Sequence, residues 1–185
     1  MQLFKLHNNP TQLVHYQEQP NPNKVPSHIE EALKLSKELQ VRVPEWEPFF
    51  LEETEYITDY SLNVVNGRWK EGERTLLNNP DELQLKDVIM YALNVIKGKW
   101  PEAEKYLLKS PRKSAWYAKD VLRARWPEAE DVIIQNGPGA ALYAMYVLKH
   151  RWPDAEPAIR AGDQMNNSWA RYQDTFLDGR NRAND

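Results

Sequence analysis

Four similar segments, each opening with tyrosine and holding a tryptophan nine residues later, dominate the second half of the chain. They are Tyr60–Glu73, Tyr91–Glu104, Tyr117–Glu130 and Tyr143–Glu156. Internal repetition at a short period is typical of stacked architectures, in which each unit contacts mainly its neighbours. The repeat therefore constrains the fold more tightly than the function, because the surface of such a stack is adapted to a partner.

Degraded copies flank these segments. Trp100, Trp126 and Trp152 follow one another at 26-residue intervals, and Val43 lies 26 residues before Trp69 in a worn upstream copy. A fifth partial start is predicted at Trp169-Ala170, in register with Tyr143-Ala144. Worn terminal copies are expected, since an end unit must present one face to water.

Three regions follow from this register. Residues 27–178 form the predicted helical-repeat domain. Residues 1–26 are predicted to be an N-terminal cap or arm with a proline-rich linker, and residues 179–185 a disordered polar tail. One domain of this kind suits a chain of 185 residues.

Each unit is predicted to be two short helices. In the third copy, Tyr117, Ala118, Val121 and Leu122 form one apolar stripe at helical spacing. Glycine near the end of the first helix in two copies is typical of a helix C-terminus. Proline after tryptophan, followed by acidic residues, favours the start of a second helix. The sequence therefore predicts an all-α fold, a short α-solenoid of about five 26-residue helix-turn-helix repeats with atypical end units.

The repeated aromatic residues are predicted to form a buried structural spine, because helices this short gain most of their stability from packing. The spine comprises Tyr60, Trp69, Tyr91, Trp100, Tyr117, Trp126, Tyr143 and Trp152.

Composition limits the possible functions. A net charge of −3 argues against a general polyanion binder, and the absence of cysteine removes disulfides, thiol catalysis and cysteine-ligated zinc. The histidines lack metal-ligand spacing, and neither a phosphate-binding glycine motif nor a carboxylate dyad is present. We therefore expect no catalytic residue, no metal and no cofactor. The sequence has no long apolar run or signal pattern, which favours a cytoplasmic protein without membrane contact.

The charge pattern around each tryptophan has two interpretations. A basic residue precedes tryptophan and a glutamate follows it by four positions, as in Arg125 and Glu130. A ladder that includes Lys97, Arg123 and Lys149 could bind a phosphate backbone. The alternative, favoured by the even balance of signs, is that the charges match the helix dipoles and pair across the turn.

Positions that vary between copies are the candidates for partner binding, because a stack leaves its exposed positions free to differ. Tyrosine, tryptophan and methionine there favour the C-terminal half as an interface. The candidate partner-binding residues are Asn94, Lys97, Trp116, Asp120, Arg123, Met145, Tyr146 and Lys149.

The repeat resembles that of tandem-repeat proteins of tailed bacteriophages, whose units approximate Tyr-Ala-x-x-Val-Ile-x-Gly-Arg-Trp-Pro-Glu-Ala-Glu. The segments that begin at Tyr91 and Tyr117 match most closely, and the chain departs from the pattern at Lys70, Gly72, Ala124 and His150. The resemblance implies a phage-encoded helical-repeat protein that acts in the host cytoplasm. It implies no catalytic residue.

We therefore expect a non-enzymatic protein-binding module that acts on a host or phage factor, for example by inhibiting a host defence or housekeeping protein. The alternatives are nucleic-acid binding along the ladder and sequestration of a small nucleotide signal. Whether the protein forms homo-oligomers is left open by the sequence.

Overall fold

The computed structural model describes residues 26–162 and 167–178 of the chain. The predicted N-terminal cap or arm, apart from Pro26, and the predicted polar tail at 179–185 lie outside the described residues. The described ranges contain eleven α-helices and no β-strand, and the helices pack against one another. The predicted all-α fold is therefore confirmed.

The α-helices come in pairs along the chain, and each pair is one unit of the stack. They are α1 (Ile29–Leu39), α2 (Glu47–Glu52), α3 (Thr54–Tyr60), α4 (Lys70–Leu76), α5 (Leu85–Tyr91), α6 (Pro101–Leu107), α7 (Pro111–Tyr117), α8 (Pro127–Ile133), α9 (Gly137–Tyr143), α10 (Glu156–Ala161) and the unpaired α11 (Ser168–Phe176). Odd-numbered helices are the first helices of their units. From α3 to α11, each first helix contacts the next.

Four of the first helices continue beyond their tyrosine as a π-helical turn and then end sharply. The turns are Ser61–Val65, Ala92–Ile96, Ala118–Leu122 and Ala144–Leu148. The residue after each turn has a left-handed backbone, with φ between 51° and 60° at Asn66, Lys97, Arg123 and Lys149. Glycine is the usual residue in this conformation, because a Cβ atom is strained there.

The glycines themselves lie one position later than this left-handed residue. Neither Gly67 nor Gly98 has a positive φ, and a Cβ atom at either would meet no atom within 4 Å. The same position therefore accommodates Ala124 and His150 in the later units. A side chain in place of glycine here therefore creates no clash at its Cβ atom.

The second helices are shorter than the sequence predicted, at six or seven residues instead of about ten. The four tryptophans that precede second helices share similar backbone angles, from Trp69 with φ −115° and ψ 103° to Trp126 with φ −124° and ψ 82°. Val43 has nearly the same geometry, with φ −116° and ψ 99°. At this position, the degenerate upstream copy thus has the same backbone conformation as the first complete copy.

The repeated aromatic side chains lie in the core. Tyr60, Tyr91, Tyr117 and Tyr143 are fully buried, and three of the four tryptophans are at most 3% exposed. Trp152 is only partly buried. Each tyrosine ring packs on the tryptophan of its own unit, with ring centroids 4.9–5.5 Å apart. Such pairs stabilise beyond the area that they bury.

Successive units are joined by a hydrogen-bonded contact, which we call the joint. The backbone N–H of Trp126 donates to the Tyr143 hydroxyl at 2.7 Å, and that hydroxyl donates to Glu130 at 3.0 Å. Arg125 then donates to Glu130 through two nitrogens, at 2.6 and 2.9 Å. Equivalent tryptophan-to-tyrosine bonds of 2.6–2.8 Å join Trp69 to Tyr91, Trp100 to Tyr117 and Trp152 to Tyr172.

The register predicted for the last copy is wrong. The residue that completes the joint with Trp152 is Tyr172, which also donates to Glu156 at 3.2 Å. Trp152 and Tyr172 are 20 residues apart, whereas Trp126 and Tyr143 are 17 apart. Trp169, the predicted start of this copy, instead stacks on Tyr172 and lies under the Arg160 guanidinium. The longer connection before α11 shifts the register.

Candidate functional site

A groove of about 690 Å³ lies on the face made by the first helices, at the C-terminal end of the stack. It is bounded by α7 with its π-helical turn, α9 with its turn, and α11. The groove crosses two unit boundaries, so its shape depends on the stacking of units. We call it the α7–α11 groove.

Apolar and aromatic side chains line the α7–α11 groove. Trp116, Leu142 and Met145 are partly buried, and Tyr146 is 60% exposed. Trp116 and Leu142 directly precede the spine tyrosines Tyr117 and Tyr143, whereas Met145 and Tyr146 lie just after Tyr143. These spacings place all four on the outer surface of helices whose inner surface is core.

Cationic side chains surround these apolar residues. Among the described residues, the groove is lined by the cations Arg112, Lys113, Lys119 and Arg171 and by the carboxylate of Asp120. The Lys119 ammonium lies 2.5 Å from an Asp120 oxygen. The groove of an overall acidic protein is therefore rich in positive charge.

The structure brings four of the eight predicted partner-binding residues together in this groove, namely Trp116, Asp120, Met145 and Tyr146. Asn94 lies one unit earlier, where its side-chain amide donates to the Met90 carbonyl oxygen at 2.8 Å. Lys97, Arg123 and Lys149 are exposed, but they are the left-handed residues that end the first helices. The end of a helix accounts for the exposure of these three residues, so their exposure does not indicate a ligand site.

The predicted pairing of charges across the turn is confirmed. Arg68 contacts Glu73 at 2.6 Å, Lys99 contacts Glu104 at 3.5 Å and Arg151 contacts Glu156 at 2.5 Å. The bond from Arg151 lowers the pKa of the Glu156 carboxyl, and the bond from Arg125 does the same for Glu130. Because Trp69, Trp100 and Trp126 are buried beside these pairs, their rings offer no surface on which a base could stack.

Sequence reasoning missed Arg112, Lys113, Leu142 and Arg171. Their distance from the spine tyrosine is the signal that could have found them. Residues one, four and five positions before that tyrosine share a helix face with the residues two and three positions after the tyrosine. Arg171 was also hidden by the register error at the last copy, since it directly precedes Tyr172.

The spine tyrosines are perturbed by their burial. Removal from water raises the pKa of both Tyr117 and Tyr143 to about 12, since the phenolate is poorly solvated in the core. These hydroxyls are occupied in the joints.

Within residues 26–162 and 167–178, no three His, Asp or Glu side chains converge as metal ligands. In the same ranges, no helix is both long and apolar enough to cross a membrane.

No protein-family model, curated protein or solved structure matches this chain.

Proposed function

We propose that this protein is a non-enzymatic protein-binding module that engages its partner through the α7–α11 groove. The observation that carries the proposal is the convergence of Trp116, Met145 and Tyr146 in one concave site. Aromatic residues and methionine are enriched at the cores of protein interfaces. A groove that is made by several rigid helices also offers a partner a preformed surface, which lowers the entropy lost on binding.

The biological setting in this proposal rests on the resemblance of the repeat to those of tailed bacteriophages. The module would act in the host cytoplasm on a host or phage factor, and inhibition of a host defence or housekeeping protein is one form of such action. The motif that supports this setting spans Tyr91–Glu104 and Tyr117–Glu130.

The test is capture of partners from lysates of uninfected and infected bacteria on immobilised protein, with and without nuclease. Tyr146→Ser is the groove variant, because Tyr146 is 60% exposed and its loss should leave the fold intact. Lys70→Ser is the matched control, at an exposed position outside the groove. We expect one protein in stoichiometric amount on the wild type and the control, and its loss on Tyr146→Ser.

Retention that is equal on all three proteins would contradict the groove as the binding site. Material that disappears with nuclease would favour the nucleic-acid alternative along Lys97, Arg123 and Lys149, whose affinity should fall steeply with salt. If nothing is captured, a thermal-shift assay with a panel of nucleotides tests the alternative of nucleotide sequestration.

A further inference from the structure

The positive charge of the α7–α11 groove is confined to one end of the stack. The equivalent positions before the spine tyrosines are Arg112 and Lys113 on α7, but Lys86 and Asp87 on α5. On α3 the first of these positions is Glu55, and Asp59 directly precedes Tyr60. Since α3 and α5 fold and stack with acidic residues at these positions, the fold does not require the cations of the groove.

The acidic side chains of the earlier units are also engaged. Asp59 contacts the Lys37 ammonium at 2.6 Å, and Asp87 accepts a hydrogen bond of 2.6 Å from the Thr54 hydroxyl. In the groove, by contrast, the described lining residues include four cationic side chains and one carboxylate, Asp120. The excess positive charge at this end of the stack can be matched by an anionic partner.

A lysine ammonium group lies beside each of the two aromatic rings of the groove. The Lys113 ammonium lies 5.4 Å from the centroid of the Trp116 ring, and the Lys119 ammonium lies 5.9 Å from that of Tyr146. On the ring face beside each ammonium, a stacked base would have to displace that group. A polypeptide can instead insert an apolar side chain among Leu142, Met145 and Trp116 while its carboxylates meet the surrounding cations.

We propose that the occupant of the α7–α11 groove is an acidic polypeptide segment of the partner. An apolar or aromatic side chain of this segment packs between α7 and α9, and its carboxylates pair with Arg112, Lys113 and Arg171. This inference rests on the proposed function. It adds the chemistry of the partner segment, which the positive charge of the groove requires to be acidic. Arginine binds a carboxylate through two parallel hydrogen bonds, which gives such a contact directional specificity.

The experiment is a selection of peptides that bind the protein, from a displayed library of random sequence. The selected peptides are then measured by fluorescence anisotropy against wild type and the double charge reversal Arg112→Glu/Arg171→Glu. Lys70→Glu/Lys109→Glu is the matched control, with the same charge change at exposed positions outside the groove. Circular dichroism and melting temperature establish that all variants are folded.

We expect the selected peptides to carry net negative charge and at least one large apolar residue. Their affinity should fall about tenfold or more in the groove variant, as expected when close interfacial ion pairs become repulsive, and change little in the control. Affinity for wild type should also fall with rising ionic strength, because exposed charge pairs are screened.

The other outcomes separate this inference from the proposed function. If selected peptides are neutral or basic, or lose affinity with Tyr146→Ser but not with the charge reversal, the groove binds protein and the acidic occupant is refuted. If no peptide is enriched, the acidic segment as occupant is refuted, and the capture experiment with Tyr146→Ser decides the proposed function separately. If a labelled single-stranded oligonucleotide binds the groove and the double charge reversal abolishes that binding, the groove accepts nucleic acid and the acidic polypeptide is refuted.

Discussion

At the scale of the residue, the hydroxyl of the spine tyrosine connects one unit to the next through hydrogen bonds. In the Tyr143 joint it accepts from the Trp126 backbone N–H and donates to Glu130. Both partners belong to the preceding unit, whereas the ring packs on Trp152 of its own unit. The sequence predicted that these aromatic residues are core, from their helical spacing. It could not show the hydroxyl bonds, because they depend on how two units dock.

Tyr143→Phe tests this contact. The substitution keeps the ring but leaves the buried Trp126 N–H without its acceptor, which should lower the free energy of unfolding by about 1–3 kcal/mol. Urea titration followed by circular dichroism measures the change. Tyr106→Phe is the matched control at a partly exposed position, where we expect a change within about 0.5 kcal/mol. Equal stability of the two variants would show that the joint does not stabilise the stack.

Gly72 is a second residue-level feature, at a position where the later units have Ala103, Ala129 and Ala155. A Cβ atom at Gly72 would lie 2.5 Å from Trp69 Cε3 and 2.6 Å from Ile57 Cγ2. In the next unit, the residue equivalent to Ile57 is the smaller Val88. The glycine therefore compensates for a larger neighbour.

Gly72→Ala should destabilise the protein, because overpacking that costs about 1–3 kcal/mol exceeds the gain in helix propensity of about 1 kcal/mol. Thermal unfolding measures the effect. Ile57→Ala removes the clashing methyl group, so the double variant Ile57→Ala/Gly72→Ala should lose less stability than the two single variants added together. Additive losses, or a stabilised Gly72→Ala variant, would contradict the steric explanation.

At the scale of the element, the sequence predicted where the first helices end but not which residue makes the turn. Glycine was expected at the turn, whereas the left-handed residue is the one before it, including Lys97 and Arg123. The π-helical turn that precedes it could not be predicted, since five residues such as Ala118–Leu122 also fit an ordinary α-helix. A periodicity of apolar residues does not distinguish the two helix types over one turn.

Arg123→Gly should stabilise the protein by about 0.5–1 kcal/mol, because glycine adopts the left-handed backbone without the strain of a Cβ atom. Differential scanning calorimetry should show a higher melting temperature. The neighbouring Ala124→Gly is the control, since Ala124 has no positive φ and its replacement should not stabilise. A melting temperature that falls in Arg123→Gly would mean that the arginine side chain matters more than its backbone.

At the scale of the whole molecule, the repeat determined the stack, and departures from the repeat determined the candidate site. The α7–α11 groove lies where Lys119, Met145 and Tyr146 replace the leucine and asparagine of the earlier units. The sequence therefore predicted four of the described residues that line the groove, namely Trp116, Asp120, Met145 and Tyr146. The remaining lining residues, including Arg112 and Arg171, required the packing of α7, α9 and α11 to be known.

The stack as a whole should lose stability in alkali. The pKa of Tyr117 and Tyr143 is about 12 in the folded protein and 10.0 ordinarily, so folding favours their protonated form. Their stabilising contribution is complete below pH 10 and is lost as pH rises towards 12. Urea titrations across this range should show the midpoint falling. The double variant Tyr117→Phe/Tyr143→Phe should show a shallower fall, and an identical slope would contradict the assignment to these hydroxyls.

The direction of the joint makes the array asymmetric with respect to truncation. The N–H of Trp126 and the carboxylate of Glu130 find their hydroxyl partner only in the unit that follows them. A chain shortened from its C-terminal end would therefore leave the tryptophan N–H and the glutamate carboxylate of its new last unit without a tyrosine hydroxyl. A chain shortened from its N-terminal end would keep this hydroxyl for every remaining unit that has it. During synthesis, each joint could form only after the tyrosine of the next unit had left the ribosome.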